Sequence, residues 1–410
     1  MEKTTLFYVI IAILVVQYLL HQLLDYLNAS RFKSQVPAEL NDVFDDEEYQ
    51  KSQQYKMENY QFSLFSDGFS LLFTLAFLFF GGFEWLDTLT RSLTEDMIPM
   101  TLIFFGFIML GSTLIGLPFS YYQTFIIEEK YGFNKTTRQL FFLDKIKGGI
   151  LSVILGGGIL SLFMFFYQWT GPNFWIYAWI LIGAFILFMN LFYSRLIVPL
   201  FNKQTPLQDG SLKNSIENYA ENVGFELKNI FVIDGSKRST KANAYFSGFG
   251  KEKRITLFDT LINDLNEEEI VAVLAHEVGH YKRKHIIFNL FFTLALTGLT
   301  LYILSVFINN PEISLAIGVS KPSFHAGLIG FALLYSPISE VTGLIMNYLS
   351  RKFEFQADDY AKNTFAAKPL VTSLKKLSKN SLSNLTPHPA YVFVHYSHPP
   401  LVERIRNLKA

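Results

Sequence analysis

The 410-residue chain contains no cysteine. That excludes disulfides, thiolate metal ligands and a cysteine nucleophile. Charge is scarce too: 17% of residues are Asp, Glu, Lys or Arg, and 35 basic residues balance 35 acidic ones. Zero net charge gives no general attraction for a polyanion, so nucleic acid is not an expected partner. No internal repeat or low-complexity tract divides the chain.

What it has in excess is apolar surface. Half of the residues are hydrophobic, with 42 Phe and 21 Tyr, well above the usage of a soluble domain. Seven stretches are long and apolar enough to be read as membrane spans: Leu6–Leu24, Phe69–Phe83, Pro99–Phe119, Ile150–Trp169, Phe174–Tyr193, Ile286–Ile308 and Phe324–Tyr348. The first lacks a small-residue cleavage site and is followed by further spans, so it reads as retained. A lipid bilayer is thus an expected partner. Lys and Arg gather after spans one, three, five and seven, as in Arg31, Lys33, Lys51 and Lys56, and in Lys130, Lys135, Arg138, Lys145 and Lys147. Little beyond Lys3, Arg91 and Lys321 lies on the other side. The positive-inside rule then places the amino terminus outside, or in a lumen, and the carboxyl terminus in the cytoplasm. Trp169, Trp175 and Trp179 read as anchors at the outer interface.

Against this background stands His276-Glu277-Val278-Gly279-His280. Residues four apart share a helix face, so both imidazoles can meet one metal ion with Glu277 beside them. Asn266 is a candidate N-cap, Glu269 completes a capping box, and Glu267 to Glu269 suit the positive end of the helix dipole. The plainer reading is two ordinary histidines on a helix face. A hydrolytic zinc centre needs a third protein ligand and an open position for water. Glu354 is the candidate, with Asp358 one turn on to accept the ring N–H of a ligand histidine. The plainer reading of that pair is a solvated helix face.

Spacing supports the set. The metal helix is expected to run unbroken through Lys282, Arg283 and Lys284 into span six. His280 then lies roughly 9 Å before the span, and Glu354 roughly 9 Å after span seven. In this reading Glu277 is the general base. His398 is a candidate to stabilise the oxyanion, or else a surface histidine. Asn243-Ala244-Tyr245-Phe246 reads as an edge strand able to pair with an extended peptide, Asn243 holding its backbone, or as an ordinary hairpin strand. His285, His21 and His325 read as structural.

The expected architecture is mainly α: a polytopic membrane protein with seven transmembrane helices, plus a cytoplasmic-side, zincin-like α+β catalytic domain. Residues 1–193 would hold spans one to five, and 194–285 a small sheet and the metal helix. Residues 286–348 would hold spans six and seven, and 349–410 the third ligand and C-terminal helices. Strands are expected at Asn229–Ile233, Asn243–Phe249 and Arg254–Phe258, and a helix near Asn214–Val223. Span seven carries Ser336, Ser339, Glu340, Thr342 and Asn347, and span two carries Asp67. Such groups face protein or water, which fits helices enclosing a chamber; the plainer reading is a dry bundle with the groups paired.

The chain also resembles the type I CaaX prenyl proteases, integral-membrane zinc metallopeptidases. The resemblance rests on Leu117-Pro118-Phe119-Ser120, Phe125 to Asn134, Ser239 to Gly248, Arg254 to Leu261, the metal helix, Phe353 to Asp358 and His395 to Arg404. It implies one zinc ion on His276, His280 and Glu354, with Glu277 as base. It implies substrate contacts from Asn243 with Ala244, from His398 and from Arg404, and seven helices enclosing a water-filled chamber. The implied partner is a peptide or protein cut near a prenylated C-terminal CaaX sequence. Two other readings stay open at this stage. One is a membrane quality-control metalloprotease, which needs no prenyl group. The other is a seven-helix transporter or receptor in which the metal pattern is accidental.

Overall fold

The computed structural model describes residues 4–32, 35–227, 229–247 and 254–410. Lys3, Lys33 and the end of the second expected strand, Gly248 and Phe249, lie outside them.

The chain opens with α1 (Thr5–Ala29), α2 (Asp46–Phe79), α3 (Gly82–Leu93) and α4 (Met97–Tyr122), which runs on through a π-turn at Gln123–Glu128. Then come α5 (Arg138–Thr170), α6 (Phe174–Leu196) and α7 (Val198–Phe201). Among the described residues, six helical stretches are long and apolar enough to cross a membrane: 5–29, 46–79, 97–128, 138–201, 285–307 and 324–364. The fourth is broken at Gly171–Asn173, where Gly171 takes a left-handed φ of 56°. Beyond the break α6 folds back along α5: Phe166 stacks on Tyr177 near the turn, and Lys147 Nζ donates to Leu200 O far from it.

The second span is much longer than its apolar run suggested. It begins twenty-three residues earlier than Phe69, at a capping box in which Asp45 and Glu48 satisfy each other's backbone N–H. It ends at Phe79 because Gly81 turns left-handed and starts α3. Only 6–17% of the residues in each apolar window are buried against protein. Polar groups of the last span meet polar groups of α1. Glu340 faces His21 of α1 at 3.5 Å, and Ser336 Oγ donates to Gln17.

A mixed four-stranded sheet follows, in the order β1 (Gln204–Pro206), β2 (Asn229–Ile233), β4 (Arg254–Phe258), β3 (Ala244–Ser247), with α8 (Ser211–Asn222) between β1 and β2. Strand β2 is parallel to β4, and both outer pairings are antiparallel, so β3 is an edge. After α9 (Asp259–Asp264) comes α10 (Glu267–Lys282), the metal helix. Val271, Leu274 and Val278 of α10 share a core with Ile230, Ile255 and Leu257 of the sheet.

Helices α11 (His285–Phe307), α12 (Pro311–Ala316) and α13 (Phe324–Thr364) return the chain to the membrane region, and α14 (Ala367–Asn380), α15 (Pro389–His395) and α16 (Leu401–Lys409) complete the second polar segment. The metal helix does not run straight into α11, contrary to the sequence reading. It stops at Arg283, and Lys284 adopts a left-handed φ of 62°. Three successive cations suit the negative end of the α10 dipole, and the turn lets α11 leave in a new direction. By contrast, α13 is continuous from Phe324 to Thr364 and carries Glu354 and Asp358 on one rigid rod.

Candidate metal centre

Helices α10 and α13 cross where both are narrow. A Cβ at Gly279 would stand 3.1 Å from the Ala357 backbone and 3.1 Å from Tyr360 Cβ. Only a bare α-carbon permits this approach, which brings Glu354 within reach of the histidines. Gly279→Ala is therefore expected to push the helices apart by a few tenths of an ångström and to weaken metal binding about tenfold or more, as misplaced ligands do. Titration against a chelator measures it, and unchanged affinity would remove Gly279 from the account.

The side chains converge tightly. His276 Nε2 lies 3.2 Å from His280 Nε2. Glu354 Oε2 is 3.4 Å from His276 Nε2, and Oε1 is 3.2 Å from His280 Nε2. Three donors on a small tetrahedral cation with bonds of about 2.0–2.1 Å stand about 3.3 Å apart, so these separations fit one ion. Glu354 is only 4% exposed, and among the described residues its Oε2 has no hydrogen-bond partner, with His276 Nε2 at 3.4 Å and Arg404 Nη1 at 3.5 Å as its nearest ionic neighbours. A buried carboxylate oxygen left so is costly unless a cation takes it up. The local field agrees. Burial disfavours charge on His276, yet Asp358 and Glu354 outweigh it and raise the imidazole to about 9. The pocket is built to hold positive charge.

Behind the donors lies a second layer. His276 Nδ1 is 2.9 Å from Asp358 Oδ1, which leaves its Nε2 lone pair facing the other donors. Asp358 is in turn clamped by Arg404 through two hydrogen bonds of 2.9 and 2.6 Å. For His280, Nδ1 lies 3.1 Å from Nδ1 of His285, whose Nε2–H can donate to Gln356 Oε1 at 2.9 Å. This chain fixes His280 in the matching tautomer. His285 also lies flat on Phe353, with ring centroids 4.3 Å apart. Sequence reasoning set His285 aside as merely structural and missed Gln356. Gln356 lies three residues after Phe353 and so shares its helix face, toward His285.

The remaining predicted residues divide. Glu277 is half-buried beside His276. His398 reaches the centre: its Nε2 is 3.3 Å from Glu354 Oε1, its Nδ1 contacts Ser397 Oγ at 3.0 Å, and 64% of its side chain is exposed. Asn243 is exposed at the start of edge strand β3, its side-chain oxygen accepting the Ala244 N–H at 2.8 Å. Arg404 is 9% exposed and lies 3.5 Å from Glu354 Oε2, a packing that suits a positioning role.

Fold and site together define a multi-pass membrane metalloendopeptidase. Comparison with known proteins agrees. Residues 25–203 match the family model "CAAX prenyl protease N-terminal, five membrane helices", and residues 206–410 match "Peptidase family M48". The CAAX prenyl protease 1 homolog of Arabidopsis thaliana is 39% identical, covering 97% of this chain and 96% of its own length. The CAAX prenyl protease 1 of Saccharomyces cerevisiae is 37% identical, covering 92% and 89%. The crystal structure of S. mikatae Ste24p superposes with a TM-score of 0.94 at 35% identity, over 100% of both chains. The chain belongs to peptidase family M48, in the group of the CAAX prenyl protease 1 homologues.

Proposed function

We propose that the protein is a zinc endopeptidase that cuts near the C-terminus of prenylated CaaX-type substrates. The observation that carries this reading is the His276–His280–Glu354 triangle, whose donor separations and orphaned carboxylate oxygen suit one zinc ion. When bound there, zinc polarises the scissile carbonyl and acidifies water. Glu277 accepts the proton of the attacking water and returns it to the leaving amine. His398 is exposed, and its Nε2 points to the centre, where an N–H can stabilise the developing oxyanion. Substrate lies along β3 as an added strand, with Asn243 and Ala244 meeting its backbone.

The positive-inside asymmetry orients the chain with its amino terminus outside or lumenal and with the metal centre and carboxyl terminus cytoplasmic. Residues 194–285 and 349–410 act as one catalytic unit interrupted by the α11–α13 hairpin.

The test is a pair of peptides with one sequence, prenylated and bare, incubated with purified protein. Cleavage is expected to stop with chelator and return with zinc. The prenylated peptide is expected to be preferred by about tenfold or more, since burying even two methylenes is worth about 1.6 kcal/mol. Equal cleavage of the two would count against prenyl recognition and favour a quality-control role.

A further inference from the structure

His398 is weakly anchored for a residue of the metal centre. Its side chain is 64% exposed, so packing does little to hold it, yet its Nε2 stands 3.3 Å from Glu354 Oε1. Its place has to come from the backbone that carries it. That backbone is the short segment from Tyr396 to Pro400, between α15 and α16.

A helix leaves its last four carbonyls without intrahelical donors, and α15 is only seven residues long. Two side chains of α13 meet that end. Arg351 Nη1 donates to Val392 O at 3.1 Å, to Phe393 O at 3.4 Å and to Tyr396 O. Asn347 Nδ2 donates to Val394 O at 2.7 Å. A cation also suits the negative end of the α15 dipole.

The origin of these donors ties them to the metal centre. Asn347, Arg351, Glu354 and Asp358 follow one another at helical spacing, so they share one face of the unbroken α13. The rod that supplies Glu354 therefore also grips the chain just ahead of His398. Downstream, Pro399 and Pro400 are buried and have fixed φ. Beyond them Arg404 of α16 is bound to Asp358 on the same rod. His398 is thus held from both sides on the helix that carries the third ligand.

We propose that Arg351, assisted by Asn347, is a positioning residue for the reaction: by capping the end of α15 it sets His398 Nε2 at the metal centre. The competing role is an ordinary cap that serves folding alone. The inference rests on the reading of His398 as oxyanion donor and adds the residues that place it.

The experiment compares Arg351→Met, His398→Ala and the double variant, each as the full-length protein in lipid nanodiscs with the prenylated CaaX peptide. Methionine keeps the apolar stem and removes the donors. Arg351→Met is expected to lower kcat about tenfold to a hundredfold, as displacement of a reacting group by about an ångström does. KM and zinc affinity are expected to stay nearly unchanged. Added to His398→Ala, the same replacement is expected to cost nothing further, since a group already absent cannot be misplaced. Backbone amide exchange at Tyr396, Ser397 and His398 is expected to quicken about tenfold in Arg351→Met, a readout that needs no activity. One nitrogen makes all three Arg351 contacts, so the ammonium of Arg351→Lys is expected to recover part of the rate. Asn347→Leu removes a single contact. It is expected to give a smaller loss with the same dependence on His398, and it decides the matter if Arg351→Met does not fold.

An unchanged kcat in Arg351→Met, a loss that multiplies with that of His398→Ala, a parallel fall in zinc affinity or unchanged amide exchange would each overturn the assignment. Full rate in His398→Ala would remove His398 from the chemistry, and this inference with it, while the peptidase reading stands. No cleavage by the unaltered protein would sink that reading and this one together.

Discussion

Glu277→Gln is expected to lower the rate of peptide cleavage by about a thousandfold, within the range that a general base supplies, while leaving zinc content and thermal stability unchanged. Glutamine has the same shape and keeps hydrogen-bonding capacity, but it cannot take a proton from water. Glu277 is no member of the donor triangle, which His276, His280 and Glu354 complete without it. It is only half-buried, so the replacement strands no charge in the core. The two losses that usually confuse such variants, metal release and misfolding, are thus separated from the chemistry. Rate on the CaaX peptide, zinc per protein by elemental analysis and a melting curve form the measurement. A variant that keeps a tenth or more of the rate would remove Glu277 from the role of base. One that loses zinc would show Glu277 to be part of the metal site.

Much of this centre was legible because its parts are local. Two histidines four apart need only a helix, and that helix is specified by Asn266, Glu269 and an apolar face. Strands β2 and β4 fall where the β-branched and aromatic runs place them, at Asn229–Ile233 and Arg254–Phe258. What escaped was either long-range or lacked a sequence sign. Lys284 takes a left-handed conformation that usually signals glycine or asparagine, so the break before α11 left no trace in composition. The first half of α2 is polar and faces protein and cavity, which hid its continuity with the apolar half. The partnership of His285 with His280 depends on that same unannounced break. Arg404 sits 46 residues from Asp358, and only the packing of α16 on α13 brings them together.

That last pairing gives the second large expected effect. Asp358 is wholly buried, and Arg404 supplies two of its hydrogen bonds. Arg404→Met leaves the carboxylate with the His276 ring as its remaining charged partner. Breaking a buried pair from one side is expected to cost about 3–5 kcal/mol of folding stability, and the unsettled carboxylate should weaken zinc binding about tenfold to a hundredfold through the orientation of His276. Removing the acid as well distinguishes the two effects. In Asp358→Leu with Arg404→Met no charge is left stranded, so stability should largely return. Zinc affinity should not return, because His276 Nδ1 has lost its acceptor and with it the lock on ring orientation. Melting curves and chelator competition on the single and double variants measure both quantities. If zinc affinity recovers together with stability, the Asp358–Arg404 pair is a support for the fold alone, and the orientation of His276 must come from the helix crossing at Gly279.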